Sequence, residues 1–268
     1  MRARLDHDPV AFADRVGPFL RSRPVEHNVL ATVLEHAGDD AVRAWVAGDD
    51  GEPVAVAIQT PPMRLLVSTL ADERAAPALA DALRAARVIL PGVSGPEPAA
   101  SQVALALDRA ARPGMAQAVY ALKRVSAPQR PPPPGALRRA GQADRDLLVG
   151  WVDAFQREAH AAGDAAGAVD RRLAAGGLWI WEDTGAPVSL VGQSRAVEGV
   201  VRVGPVWTPP DLRGRGYASA LVAATTALAL ERGARRCMLF ADVANATSNA
   251  IYRRIGFERV ADAREWDL

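Results

Sequence analysis

The chain has 268 residues, of which 49% are hydrophobic, a formal net charge of +1 and a single cysteine, Cys237. That length and apolar content suit one large or two medium domains, two being the expectation, while the balanced charge excludes a global basic field that would recruit nucleic acid or an anionic membrane. One cysteine excludes a disulfide framework and a cysteine-rich zinc site, and it suits a reducing, cytoplasmic setting. Arg2, Asp6, Asp8, Asp14 and Arg15 interrupt residues 1–19, so no signal-peptide core is expected there, and no stretch reaches membrane-spanning length.

In chain order, helical spacing marks 9–20 and 27–36. Two short strands follow at 44–46 and 54–59, and Asp50-Gly51 between them marks a hairpin turn. A strand at 65–68, an alanine-rich helix over 75–86, a strand at 88–90, a helix near 101–112 and a strand at 118–125 complete the first half. The prolines Pro131 to Pro134 can continue neither a helix nor a ladder, so 126–135 reads as a stiff interdomain linker.

The second half repeats that order. A strand at 137–140 precedes a helix capped at Gln142-Ala143-Asp144 and running to about 161, with Leu147, Leu148, Trp151 and Phe155 at helical spacing. A short helix at 169–175 leads to three antiparallel strands at 178–181, 187–191 and 199–207. A long helix over 218–232 carries Leu221, Val222, Thr225, Leu228 and Ala229 as one buried stripe. A strand at 237–243, a helix at 247–255 and a final strand pair end the chain. The fold class is α/β (α+β): two domains, each a mixed, mostly antiparallel sheet flanked by helices.

The turn Arg213-Gly214-Arg215-Gly216-Tyr217-Ala218 runs from the third of those strands into the long helix. The first amides of a helix lack intrahelical acceptors and favour an anion, and Gly214 and Gly216 let the backbone curl close without a Cβ clash. Arg213 and Arg215 add positive charge. No Gly-Lys-Ser or Gly-Lys-Thr follows, which excludes a Walker loop, and the glycine spacing excludes a dinucleotide fingerprint. Inside the strand, Gly204-Pro205 predicts a bulge, because proline lacks the ladder donor and glycine tolerates unusual torsions.

The turn resembles motif A of the GNAT acetyltransferases, Arg/Gln-x-x-Gly-x-Gly/Ala, with Arg213, Gly216 and Ala218 in the matching places. Downstream, the segment from Asn245 to Phe257, with Tyr252 seven residues after the asparagine and Gly256-Phe257 at its end, resembles motif B. The resemblance covers 136–268. It implies acetyl-CoA as cosubstrate, with Arg213, Gly214, Arg215, Gly216, Tyr217 and Ala218 around the pyrophosphate. It further implies pantetheine along Val206, Trp207 and Thr208, contacts from Asn245 and Asn249, and Tyr252 as the acid that protonates the leaving thiolate. No metal is implied.

The general base departs from the family pattern: Arg202 stands where some members carry a glutamate. Glu198 shares its face by period-two counting and is the carboxylate put forward, with Glu158, Glu182, Asp183, His160 and a water relay left open. Arg202 faces either solvent or an acidic group on the acceptor. The tryptophans Trp151, Trp179, Trp181 and Trp207 are expected on the acceptor side, mostly as core. The expected activity is transfer of an acetyl group to a primary amine of a small molecule or peptide. An acyl-CoA-binding sensor or a protein lysine or N-terminal acetyltransferase are the alternatives, and a homodimer is left open. Residues 1–125 are read as a degenerate, non-catalytic copy, in which Thr60-Pro61-Pro62 echoes Thr208-Pro209-Pro210 without a glycine pair after it.

Overall fold

A computed structural model describes residues 1–128, 131–159 and 163–268. The first repeat contains β1 (Arg2–Leu5), α1 (Pro9–Ser22), α2 (Asn28–Leu34), β2 (Val42–Ala47), β3 (Pro53–Gln59), β4 (Leu65–Val67), α3 (Ala75–Ala85), β5 (Gly92–Pro96), α4 (Ala99–Leu107) and β6 (Arg112–Leu122). The second contains β7 (Ala136–Arg139), α5 (Arg145–Glu158), α6 (Ala165–Ala174), β8 (Leu178–Asp183), β9 (Ala186–Gln193) and β10 (Val200–Trp207). After these come α7 (Tyr217–Glu231), β11 (Arg236–Asp242), α8 (Ala246–Ile255) and β12 (Glu258–Asp267). Apart from short 3-10 turns the two repeats have the same element order. The helix expected to reach about 161 ends at Glu158, and 160–162, with His160, lie outside the described residues, as do Gln129 and Arg130 of the linker.

Two compact units result. One comprises Met1–Val119, Ala241–Asn245 and Arg259–Leu268; the other comprises Tyr120–Phe240 and Ala246–Glu258. In the first unit the strands run β1-β2-β3-β4-β5, with β12 as the next neighbour of β5. All of these pairs are antiparallel except β4–β5. The C-terminal strand thus packs with the first unit, where the sequence alone placed it with the second half. In the second unit the order is β11-β10-β9-β8-β7, antiparallel except for β10–β11.

Period-two patterning builds both faces of the first sheet. Ala44, Val46, Ala55 and Ala57 join the cluster with Leu79 and Leu83 of α3, while Trp45, Val56 and Ile58 join the one with Phe12, Val16 and Leu20 of α1. Asp8 starts α1 by accepting from the amides of Val10 and Ala11 at 2.9 and 3.1 Å, with Pro9 at the first helical position. In the second unit Leu148 and Val152 of α5 and Val169 of α6 pack on Leu178, Ile180, Leu190 and Trp207.

Several expectations shift. β1 is an edge strand of alternating arginine and apolar residues too short for a sequence signal. A strand expected at 88–90 forms instead at Gly92–Pro96, a segment whose glycines and prolines argue locally against one. The requirement is tertiary: a Cβ on Gly92 would fall 2.2 Å from the Trp266 carbonyl oxygen and one on Gly95 2.6 Å from that of Val67. The final strand pair is one ten-residue strand, β12. Thr60-Pro61-Pro62 follows β3, whose counterpart is β9, so its likeness to Thr208-Pro209-Pro210 does not mark equivalent positions.

Candidate active site

β10 pairs with β11 only at Val200, Val201 and Arg202. Its register against β9 jumps from Val203–Gln193 to Val206–Val191, so Gly204-Pro205 forms the expected bulge, with Gly204 at φ +142°. From Val203 to Trp207 the edge that faced β11 therefore carries no ladder. Ser189 of β9 fixes the end of this strand, its hydroxyl donating to the Trp207 carbonyl at 3.0 Å and sharing a 2.8 Å hydrogen bond with the Thr208 hydroxyl.

Beyond a single turn at Pro210–Leu212, Gly214 and Gly216 take left-handed torsions, φ +79° and +89°, and Gly216 caps α7. The first intrahelical bond of α7 runs from the Ala220 amide to the Gly216 carbonyl at 3.0 Å, so the amides of Tyr217, Ala218 and Ser219 lie ahead of the helical ladder. A Cβ on Gly214 would meet nothing within 4 Å, and one on Gly216 only Pro133 at 3.9 Å. Within the protein, glycine is thus required here for its torsions and not by a neighbouring side chain.

The side chains of this turn are oriented otherwise than expected. The Arg213 guanidinium lies 4.7 Å over the Trp207 ring, donates to the Thr208 carbonyl at 3.0 Å and grips Glu158 through bonds of 2.9 and 3.0 Å. Its charge is committed to closing the turn. Arg215 is exposed and donates to the Asp211 carbonyl at 3.3 Å. Tyr217 is buried and its phenol donates to Asp183 at 2.5 Å, a bond that holds the phenol above its ordinary pKa and ties the helix start to the end of β8.

On α8, Tyr252 is 9% exposed, between Tyr120 at 6.3 Å and Phe257 at 6.0 Å centroid separation. Its hydroxyl has no hydrogen-bond partner among the described residues, and burial pushes the phenol up to about 12. It is therefore a protonated donor at neutral pH. Asn249 does not face outward: it is buried and its side-chain oxygen accepts from the Tyr120 hydroxyl at 2.9 Å. That bond ties α8 to the end of β6. Asn245 is exposed in the turn ahead of α8 and belongs to the first compact unit.

The carboxylates weighed as bases are all accounted for. Glu198 precedes β10 in the tight Val197–Val200 turn at φ +50°, roughly 20 Å along an extended chain from the Gly204-Pro205 bulge. Glu158 pairs with Arg213, Glu182 with Arg138, and Asp183 accepts from Tyr217. The tryptophans serve packing: Trp179 lies under Arg139 and Arg232, Trp181 donates to the Pro134 carbonyl at 3.0 Å, and Trp151 packs against the α5–α6 core. Among the described residues no group of three or more metal-ligating side chains forms, and no helix is long and apolar enough to cross a membrane. Tyr120 and Ser189 escaped the sequence reading; Tyr120 is 129 positions from its partner, and no local pattern links the two.

Residues 144–257 match the family model described as Acetyltransferase (GNAT) family. An uncharacterized N-acetyltransferase of Methanocaldococcus jannaschii is 29% identical over 96 residues, 34% of this chain and 42% of that protein, so the match spans less than half of the relative. Among solved structures, a GCN5-related N-acetyltransferase from Sphaerobacter thermophilus has a TM-score of 0.69 at 19% identity, covering 99% of this chain and 95% of its own. A GNAT-family acetyltransferase from Colwellia psychrerythraea has a TM-score of 0.68 at 11% identity, with both chains covered completely. These two likenesses establish that the fold of the whole chain is shared. Together with the glycine turn on α7 and the bulge in β10, the family match shows that residues 144–257 are similar to the GNAT acetyltransferase family.

Proposed function

We propose that the second repeat transfers an acetyl group from acetyl-CoA to a primary amine of a small molecule or peptide, and that the first repeat is a non-catalytic copy. The observation that carries this reading is the open left-handed glycine turn at Gly214 and Gly216 placed directly after a strand that has left its neighbour. Diphosphate chemistry fits that turn: the amides of Gly214, Arg215, Gly216, Tyr217 and Ala218 offer oriented donors at the positive end of α7. The freed edge of Val206, Trp207 and Thr208 offers backbone groups to an amide-bearing arm and an oriented donor to a carbonyl that gains negative charge. Acetyl-CoA, when bound, supplies the activated acyl carbon and a thiolate leaving group.

The chain's own residues perform the rest. Arg213, locked by Glu158 and Thr208, keeps the turn closed without entering it. Tyr252 holds a proton at its hydroxyl and gives it to the departing sulfur, a donation its pKa of about 12 permits at neutral pH. The incoming amine loses its proton to water, since the carboxylates considered are paired or distant.

Thiol release from acetyl-CoA against a broad panel of amines tests this. Tyr252→Phe is expected to lower kcat about a hundredfold while CoA affinity stays within about twofold. CoA binding without turnover on any amine would turn the reading toward an acyl-CoA sensor.

A further inference from the structure

The end of β10 has its polar groups tied down by the protein on every side but one. Ser189, fully buried on β9, donates its hydroxyl proton to the Trp207 carbonyl at 3.0 Å. A serine hydroxyl has a single proton, so in the 2.8 Å bond between Ser189 and Thr208 the threonine is the donor. The Thr208 carbonyl is taken in turn by Arg213, at 3.0 Å. Thr208 is only 9% exposed, yet its backbone amide has no partner among the described residues. Pro209 and Pro210 follow and carry no amide proton, so Thr208 holds the last main-chain donor before Asp211.

The direction of that amide follows from the ladder. The Gln193 amide donates to the Gly177 carbonyl, just ahead of β8, at 2.7 Å. Backbone groups alternate sides along a strand, so Val191 also turns its amide toward β8, and Leu190 turns toward β10. Leu190 is the register partner of Trp207, so the Trp207 carbonyl points at β9, where the Ser189 hydroxyl meets it. The peptide joining Trp207 to Thr208 is trans and planar, which sets its N–H opposite to its C=O. The Thr208 amide therefore points away from β9, across the edge where β10 has left β11.

We propose that Ser189 is a positioning residue for the cosubstrate: by pinning the Trp207 carbonyl it aims the Thr208 amide at the vacated strand edge, where that amide donates to a carbonyl of the pantetheine arm. The inference rests on the acetyl-CoA reading and adds the side chain that sets the donor's direction. The Ser189 hydroxyl does not touch the ligand. It holds the donor in place before the ligand arrives, so binding does not have to order the peptide. The Thr208 hydroxyl proton is committed to Ser189, and recognition at this residue falls to the main chain.

Calorimetric titration with CoA and with ADP, which has the diphosphate but no pantetheine arm, separates this role from a general loosening of the site. Ser189→Ala is expected to weaken CoA roughly tenfold, the scale of one oriented hydrogen bond, and to leave ADP within about twofold. In turnover the loss should appear in KM for acetyl-CoA more than in kcat. Ser189→Cys keeps the volume but is a weaker donor, and it should fall between serine and alanine. An equal loss for ADP overturns the proposal, as does full recovery with cysteine, since these trace the effect to the fold or to packing. If the wild-type protein binds no CoA, the acetyl-CoA reading fails and the proposal falls with it. CoA bound as tightly by Ser189→Ala as by the wild type sinks the proposal alone.

Discussion

In the first repeat β4 keeps to β5 as far as it runs. Leu65 and Leu66 pair with Val93 and Ser94, and a Cβ on Gly95 would come within 2.6 Å of the Val67 carbonyl, so the two backbones close on each other. In the second repeat the equivalent strand, β10, leaves β11 after Arg202 and runs on through a bulge to Trp207. The helix starts differ as well. Before α3 the chain has Asp72-Glu73-Arg74, with Asp72 accepting from the Arg74 amide at 2.8 Å; before α7 it has two left-handed glycines and open space. The same order of strands and helices therefore gives a helix start with two left-handed glycines and open space in one repeat and one with a carboxylate folded back on its turn in the other. Element order specifies the architecture; the bulge and the glycine pair specify the chemistry.

The most damaging way to test that difference is to remove the torsions. Gly214→Val with Gly216→Val should weaken CoA binding on the order of a hundredfold, since each left-handed position costs a side-chain-bearing residue about 1–2 kcal/mol. Calorimetric titration with CoA reads it, and undiminished affinity would mean that the turn is not the diphosphate site.

A smaller effect is expected at the strand end that the first repeat lends to the second unit. Tyr120→Phe keeps the ring beside Tyr252 but removes its hydrogen bond to the buried Asn249, so the unfolding free energy should fall by about 1 kcal/mol. Urea unfolding measures it, and an unchanged midpoint would show that the bond contributes nothing.

Acid separates the two units further. His27 is buried in the first unit, bonded to the Leu20 carbonyl and the Thr69 hydroxyl, and burial lowers its pKa. Above the unfolded value of 6.5 its neutral form costs nothing on folding. As pH falls from there toward the lower folded value, the unfolded chain takes up a proton that the folded chain refuses, and stability drops by at most about 1.4 kcal/mol per pH unit. Hydrogen exchange between pH 7.5 and 5.5 should show earlier opening around α2 than around α5, and His27→Gln should flatten that difference. The smallest change belongs to the turn before α3: Glu73→Ala should alter CoA affinity by less than about twofold, and a larger shift would show that the first repeat takes part in binding.

Much of this was open to sequence reading where the cause is local. Positive torsions at Gly214 and Gly216, the bulge at Gly204-Pro205 and the repeated helix and strand periods follow from which residues tolerate which backbone and which face is apolar. Assigning side-chain partners was not. Arg213 looked like a phosphate ligand and proved to be the clasp of its own turn, because Glu158, 55 positions away, meets it. Glu198 shares the period of Arg202, yet a turn and the first half of β10 separate it from the bulge.

By itself the sequence determined most of the element order, though not β1 or the place of β5, together with the glycine turn and the strand bulge of the candidate site, since these depend on torsional freedom and hydrophobic period within a few residues. Tertiary structure alone decided that β5 forms across Gly92 and Gly95, that β12 pairs with β5 in the first unit's sheet, and that Tyr120 holds Asn249. Each of those depends on which distant backbone or side chain arrives at a given place, and the sequence holds that information only through the packing of the whole sheet.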